Sequence, residues 1–348
     1  MPSKKIKVGS LETTNNLTTS EISITGSMVV GSGDSAKTIT NSSLKAALVT
    51  IPPGSQAYIT PGTFTFVVPA EVTKLSALCI GCGGAGHYTW ANSGGSGGGL
   101  AYANNIAVTP GESITIIVPG ERPPSTGGAR GVAASFGGYI SASSGQDCAG
   151  NSSHSINTGP GRPISGSVAA YGGVGGKNSN TTAGGGGGAA GYSGSGGNGY
   201  YGSSGLAPIS GSGGGGSGGV GYQSSTYGFG GGGGVGLGGE GASGVYPSLT
   251  GQTGIPPSPG NSFYSNYTYS GTGGSGGENA SYNNNSSTTV TSSLPAGRTT
   301  YHGEGGRYGG AGGGGGTSVS SNGNFCKGAQ GAVYVAWGGI VASNGIHS

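Results

Sequence analysis

Gly230-Gly-Gly-Gly-Gly-Val-Gly-Leu-Gly-Gly-Glu240 is the stretch on which the reading of this chain turns. Glycine loses more backbone freedom on ordering than any other residue, so it weakens ordinary helices and strands. Five in succession are either disordered or held by an arrangement that dispenses with side chains. Such runs recur at 184–188, 213–216 and 312–316, with shorter pairs near 172, 218, 273 and 305. The 348 residues include 87 Gly and 17 Pro, close to the share of roughly 30% at which disorder is the default reading. Disordered chains usually carry high net charge, whereas only 7% of residues here are charged and the net is +3.

An extended helix of three residues per turn, rising about 3.1 Å per residue, points its N–H and C=O groups sideways. When every neighbour is glycine, such helices approach as closely as strands do and bond laterally to several others. That satisfies the backbone, which any buried segment must do. Interior helices need glycine at all three phases. Outer ones carry side chains on one phase, as in Gly172-Gly-Val-Gly-Gly or the segment 234–240. A five-residue run spans roughly 15 Å, enough for a thin slab. Val or Leu at Gly186, Gly232 or Gly314 is expected to break it, while Ser or Asn changes in the spacers are tolerated. Collagen requires strict Gly-X-Y register, which these runs violate.

Apolar residues are 32% of the chain and cluster outside the glycine-rich part. Thr63-Phe-Thr-Phe-Val-Val-Pro69 reads as a strand ended by proline. Thr73-Lys-Leu-Ser-Ala-Leu-Cys-Ile80 is a second, with Leu75, Ala77 and Cys79 on one face. Ala101–Val108 and Glu112–Val118 follow, separated by the turn Thr109-Pro-Gly. Far along the chain, Gly331-Ala-Val-Tyr-Val-Ala-Trp-Gly338 alternates again. Its apolar partners are expected among residues 57–120, with Val333, Val335 and Trp337 returning to them. Residues 1–50 hold 8 of the 23 charged residues. There Glu21–Gly31 reads as short strands turning at Gly31-Ser-Gly-Asp34, and Asn41–Leu48 as one or two helical turns.

The fold expected is all-β with an irregular glycine-rich part: a small antiparallel β-sandwich enclosing a polyglycine-II helix sandwich, after a short N-terminal β-rich docking segment. The boundaries are 1–56 for attachment and oligomerisation, 57–124 plus 326–340 for the sandwich, and 125–325 for the glycine-rich domain.

Several function classes lose support. No apolar run reaches 18 residues, the N-terminus has no apolar stretch after its basic residues, and a net of +3 gives no face for nucleic acid. Cys79 and Cys82 form a C-x-x-C, but Cys148 and Cys326 are isolated. A zinc ribbon needs a second pair, so the cysteines read as small buried residues and neither metal nor cofactor is expected. From Asn178 to Gly297 the only charged residues are Glu240 and Glu278, and the four histidines are dispersed. His302, Glu304 and Arg307 lie close in sequence and read as a surface cluster. Positioned acids and bases are missing, so the chain does not read as an enzyme.

Tyrosine remains: 18 Tyr against 6 Phe and 2 Trp, concentrated in the spacers between glycine runs. The candidates for binding are Tyr88, Trp90, Tyr200, Tyr201, Tyr222, Tyr227, Phe263, Tyr264, Tyr267, Tyr269, Tyr282 and Tyr301. Tyr, Ser, Gly and Asn together are the chemistry of antibody loops, where rigid amphipathic rings supply contact area. The other role open to these rings is to cap slab edges and cover exposed backbone.

Four blocks carry a resemblance. Gly62–Leu75, Gly97–Glu112, Ser135-Phe-Gly-Gly-Tyr-Ile-Ser-Ala142 and Gly331–Gly338, in this order, resemble glycine-rich phage tail-fibre domains over about 60–338. More loosely, the chain is similar to the polyglycine-II tip adhesins of T-even-like phages. The resemblance implies a virion tail-fibre location and a bacterial outer-membrane protein or surface glycan as receptor. It implies other tail-fibre chains as partners through 1–56, in a homotrimer or on a trimeric fibre. Residues 1–50 depart from that adhesin pattern and look more like the strand repeats of trimeric shafts. The rival readings are an ice-binding protein, a purely structural fibre component and a polysaccharide-degrading spike. The first expects a flat face of regularly spaced Thr and Ala, the second no effect of loop exchange, and the third more carboxylates.

Overall fold

The computed structural model describes residues 27–30, 37–40, 53–87, 93–123, 128–148, 159–176, 184–199, 209–219, 230–237, 239–244, 290–291, 299–300, 305–312 and 326–338. The chain divides into two compact units, Met1–Pro52 and Pro53–Ser348. In the first, β1 (Ser27–Val30) pairs antiparallel with β2 (Lys37–Thr40), Val30 opposite Lys37. The helical turns expected over 41–48 lie outside the described residues.

The second unit is all-β, with no helix among the described residues. Its strands are β3 (Gly54–Tyr58), β4 (Gly62–Val67), β5 (Lys74–Ile80), β6 (Leu100–Ala107), β7 (Ser113–Val118), β8 (Ala134–Phe136), β9 (Ile140–Ala142), β10 (Pro163–Ser165), β11 (Val168–Ala170) and β14 (Ala332–Trp337). A separate two-residue pair joins β12 (Val290–Thr291) to β13 (Thr299–Thr300). Two antiparallel five-stranded sheets result, ordered β10-β9-β8-β7-β4 and β11-β6-β5-β14-β3. Period-two alternation builds the first: Phe66, Ile114, Ile116 and Val118 are buried, while Thr63, Thr65, Ser113 and Thr115 face out. Phe66 sits at the centre, its ring 5.8 Å from those of both Phe136 and Trp337. Full burial of each such side chain contributes roughly 1.5–3 kcal/mol.

Strand β14 returns from the end of the chain to pair with β5 on one side, Val335 opposite Ala77, and with β3 on the other, Trp337 opposite Gly54. The sheets also take in β8–β11, short strands that the sequence reading places in the glycine-rich domain. The second sheet differs from a half-exposed sheet, since all of Leu75–Ile80 is buried. Its outer face, with Leu78, Ile80, Leu100, Tyr102 and Ala336, is covered by Ala189, Ala190, Tyr192 and Val235 from the glycine-rich part. Tyr192 is fully buried there; its hydroxyl donates to Gly236 O (2.9 Å) and accepts from Gly239 N (3.2 Å).

Beyond the sheets the glycine segments run extended, joined by lateral backbone bonds that repeat every third residue. In 93–99, the N–H groups of Gly94 and Gly97 reach Gly176 and Gly173, those of Gly95 and Gly98 reach Gly312 and Gly309, and those of Ser96 and Gly99 reach Gln146 and Ser143. In 184–191 the same rhythm holds. Gly186 and Ala189 donate to Gly230 and Gly233, Gly187 and Ala190 to Gly95 and Gly98, Gly188 and Gly191 to Gly197 and Gly194. Successive residues thus address three different neighbours and then return to the first. Each net bond contributes only about 0.5–1.5 kcal/mol, so the array depends on their number and on close approach. A Cβ on Gly186 or Gly232 falls well inside 3.0 Å of neighbouring backbone. Gly314 lies outside the described residues.

Candidate functional site

The array has two poles. At the sheet pole, Gly81 N–H bonds Gly99 O, Gly99 N–H bonds Ser143 O and Ser143 N–H bonds Arg162 O, directly continuing β5, β6, β9 and β10. At the opposite pole, lateral bonds join the outer ends of several extended segments. His87 N–H bonds Ser93 O, Cys148 N–H bonds Ala85 O, Gly86 N–H bonds Cys326 O and Gly94 N–H bonds Gly176 O. Gly176 N–H bonds Gly185 O, Ile209 N–H bonds Asn198 O, Gly219 N–H bonds Gly186 O and Gly186 N–H bonds Gly230 O. The chain enters β3 at Gly54 opposite Trp337, the end of β14 remote from the array. Gly54 and the outermost glycine segments therefore fall at opposite ends of the second unit.

All twelve aromatic candidates lie outside the described residues. Tyr88 and Trp90 fall between His87 and Ser93, Tyr200 and Tyr201 between Gly199 and Ile209, Tyr222 and Tyr227 between Gly219 and Gly230. The described residues that flank these three spans lie at the far pole. Phe263, Tyr264, Tyr267, Tyr269, Tyr282 and Tyr301 belong to the segment between Gly244 and Gly305. Gly244 bonds Gly211 and Gly215, whereas Gly305 bonds Lys327. Tyr192 shows that tyrosine also serves inside the scaffold.

Charge is sparse among the described residues. Glu112 accepts from Tyr139 Oη (2.8 Å) and Thr109 N (3.0 Å), and these bonds hold its carboxyl below the usual range. Arg307 lies 3.9 Å from Glu121; His302 and Glu304 are outside the described residues. Asp147 is fully buried, accepting from Ala85 N (2.9 Å) and from the Arg122 guanidinium, which its bonds push up. The sequence reading missed this residue, and its lattice role explains it. Along 81–87 every third N–H, at Cys82 and Ala85, meets a side-chain oxygen of Ser144 or Asp147 instead of a carbonyl. Ser96, Asn198 and Ser243 do the same for Gly175, Val174 and Gly214. At these positions polar side chains stand in for backbone carbonyls.

The four cysteines are buried and form no disulfide. Cys79 Sγ donates to Ile140 O (3.8 Å) and Cys82 Sγ to Ser144 Oγ (3.0 Å). Burial pushes the thiols of Cys79 and Cys148 far up and that of Cys82 up to about 11. Thiolate is the reactive form, so native protein at pH 8 is expected to resist a disulfide reagent and to titrate four thiols after denaturation. Rapid native labelling of Cys79 or Cys82 contradicts their placement.

No protein-family model matches the chain, and a search of curated proteins finds no match. The fold defines a class all the same: an all-β protein whose two sheets continue at one end into a laterally bonded glycine array.

Proposed function

We propose that the glycine array is a polyglycine-II lattice and that the protein is a non-enzymatic phage tail-fibre adhesin. On this reading it presents Tyr-, Asn- and Ser-rich loops from the far pole to a bacterial surface protein or glycan. The three-residue rhythm of N–H partners supports the lattice, because an extended threefold helix turns by one third per residue. The polarity of the second unit carries the adhesive reading. The described residues that flank the aromatic segments 88–92, 200–208 and 220–229 lie at one pole, and Gly54, the first residue of β3, lies at the other. Rigid scaffolds that gather variable loops at one end commonly use them for recognition. The part of residues 1–56 that precedes β3 then serves attachment to other fibre chains, in a homotrimer or on a trimeric fibre.

Adsorption tests this. Purified protein is mixed with a panel of Gram-negative cells, and the fraction depleted from solution is measured. Exchange of 200–208 and 220–229 for Gly/Ser segments of equal length is expected to abolish depletion while leaving the melting temperature within a few degrees. Depletion that survives every exchange assigns the chain to fibre structure without receptor binding.

A further inference from the structure

We propose that Arg130 and Arg162 form a phosphate-binding site on the flank of the glycine array, separate from the far pole. Arg130 Nη1 donates to Ser144 O (2.8 Å) and Pro160 O (3.2 Å), which pins the guanidinium across the segments 143–146 and 159–162. Those two segments run antiparallel with the three-residue rhythm, Ser143 N–H to Arg162 O and Gln146 N–H to Gly159 O. Residues three apart on such a helix leave on the same side. A Cβ on Gly159 falls well inside 3.0 Å of Arg130 Nη2. The Arg162 side chain, three residues on, therefore leaves toward the face that the Arg130 guanidinium occupies.

Arg162 is exposed and its guanidinium has no partner among the described residues; its own backbone N–H is taken by Ser143 Oγ (2.9 Å). Burial, and then the charge of Arg162, push Arg130 down. The described carboxylates nearest in sequence are committed elsewhere, Asp147 to Arg122 and Glu121 to Arg307. Ser144 and Asp147, themselves three apart, both turn to the opposite neighbour, 81–87. The flanking segments 124–127 and 149–158 contain no Asp or Glu. In a chain with 7% charged residues, two adjacent cations without an anion cost free energy. A dianion offsets it, and the planar guanidinium fork suits phosphate oxygens. Free phosphate and a sugar phosphate offer the same group.

The test is titration of the full-length protein with inorganic phosphate at low salt, followed by the arginine Nε–Hε signals in a nitrogen–proton correlation spectrum. Saturable shifts of two arginine signals are expected. R162Q, which leaves the backbone bonds of Arg130 in place, is expected to weaken binding by about tenfold or more at an unchanged melting temperature. R307Q is expected to bind as the parent does. Glucose 6-phosphate binding more tightly than phosphate, with glucose inert, assigns a saccharide phosphate; equal affinities assign the free group. Absence of saturation, or equal binding by R162Q, overturns the site. Adsorption of R162Q to cells is scored separately, so loss of the phosphate site leaves the adhesive reading standing or falling by itself.

Discussion

Gly232→Val is expected to remove the cooperative melting transition altogether. Gly232 N–H donates to Ala311 O (2.8 Å) and its carbonyl accepts from Gly306 (2.9 Å), so both its groups are committed to neighbouring segments. A Cβ there meets Gly187 O and C at less than contact distance, and backbone cannot rotate away as a side chain can. Relief requires segments 184–188 and 230–235 to part, which breaks bonds on both sides of each. A loss beyond about 4 kcal/mol is expected, a large part of the roughly 5–15 kcal/mol that holds a native domain together. Gly186→Val is expected to behave alike, its Cβ meeting Ala311 O and Gly232 N. Gly138→Ala is the control: nothing lies within 4 Å of the added carbon, and its φ is outside the left-handed range. Circular dichroism melts of the three variants decide the matter. Equal melting of Gly232→Val and Gly138→Ala refutes the close-approach account of the glycine runs.

Asp147→Ala is expected to cost about 3–5 kcal/mol, because it strands the buried Ala85 N–H and leaves the partly buried Arg122 without its partner. Asp147→Asn keeps one acceptor oxygen but turns an amino group or a weaker acceptor toward Arg122. An intermediate loss of about 1–3 kcal/mol is expected. The measurement is the urea midpoint of each variant, in the order parent, Asn, Ala. An alanine variant within about 1 kcal/mol of the parent contradicts the role of Asp147 as a stand-in for a lattice carbonyl.

Much of this architecture is legible along the chain. The strands β4, β5, β6, β7 and β14 announce themselves by alternation, because a sheet with one face in the core buries every second residue. The return of Gly331–Gly338 to the early strands follows from its lack of apolar partners nearby. The short strands β8–β11 are harder to see. Ala134-Ser-Phe136 and Val168-Ala-Ala170 span too few residues for a period to show. The second sheet's double burial is invisible locally, since Ala189, Ala190 and Tyr192 stand more than 100 residues from Leu78 and Ile80.

The candidate site divides in the same way. Composition alone marks the Tyr- and Asn-rich spacers, because few residue types other than rigid amphipathic rings supply contact area without charge. Only the register of the lateral bonds decides that the residues flanking three of those spacers lie at one pole, since the register depends on which distant segments exchange hydrogen bonds. Asp147 looks like one acid in a polar stretch until Ala85, 62 residues away, is seen to donate to it.

By itself, the sequence determined that glycine must be packed against glycine. Runs such as 230–234 have no side chains to bury, and their chain entropy can be offset only by lateral backbone bonds. The tertiary structure decided which segments are neighbours and where polar side chains replace missing carbonyls. A backbone bond has no sequence label: any N–H accepts any carbonyl as partner, so the partners of identical glycines are chosen by the sheets that anchor them.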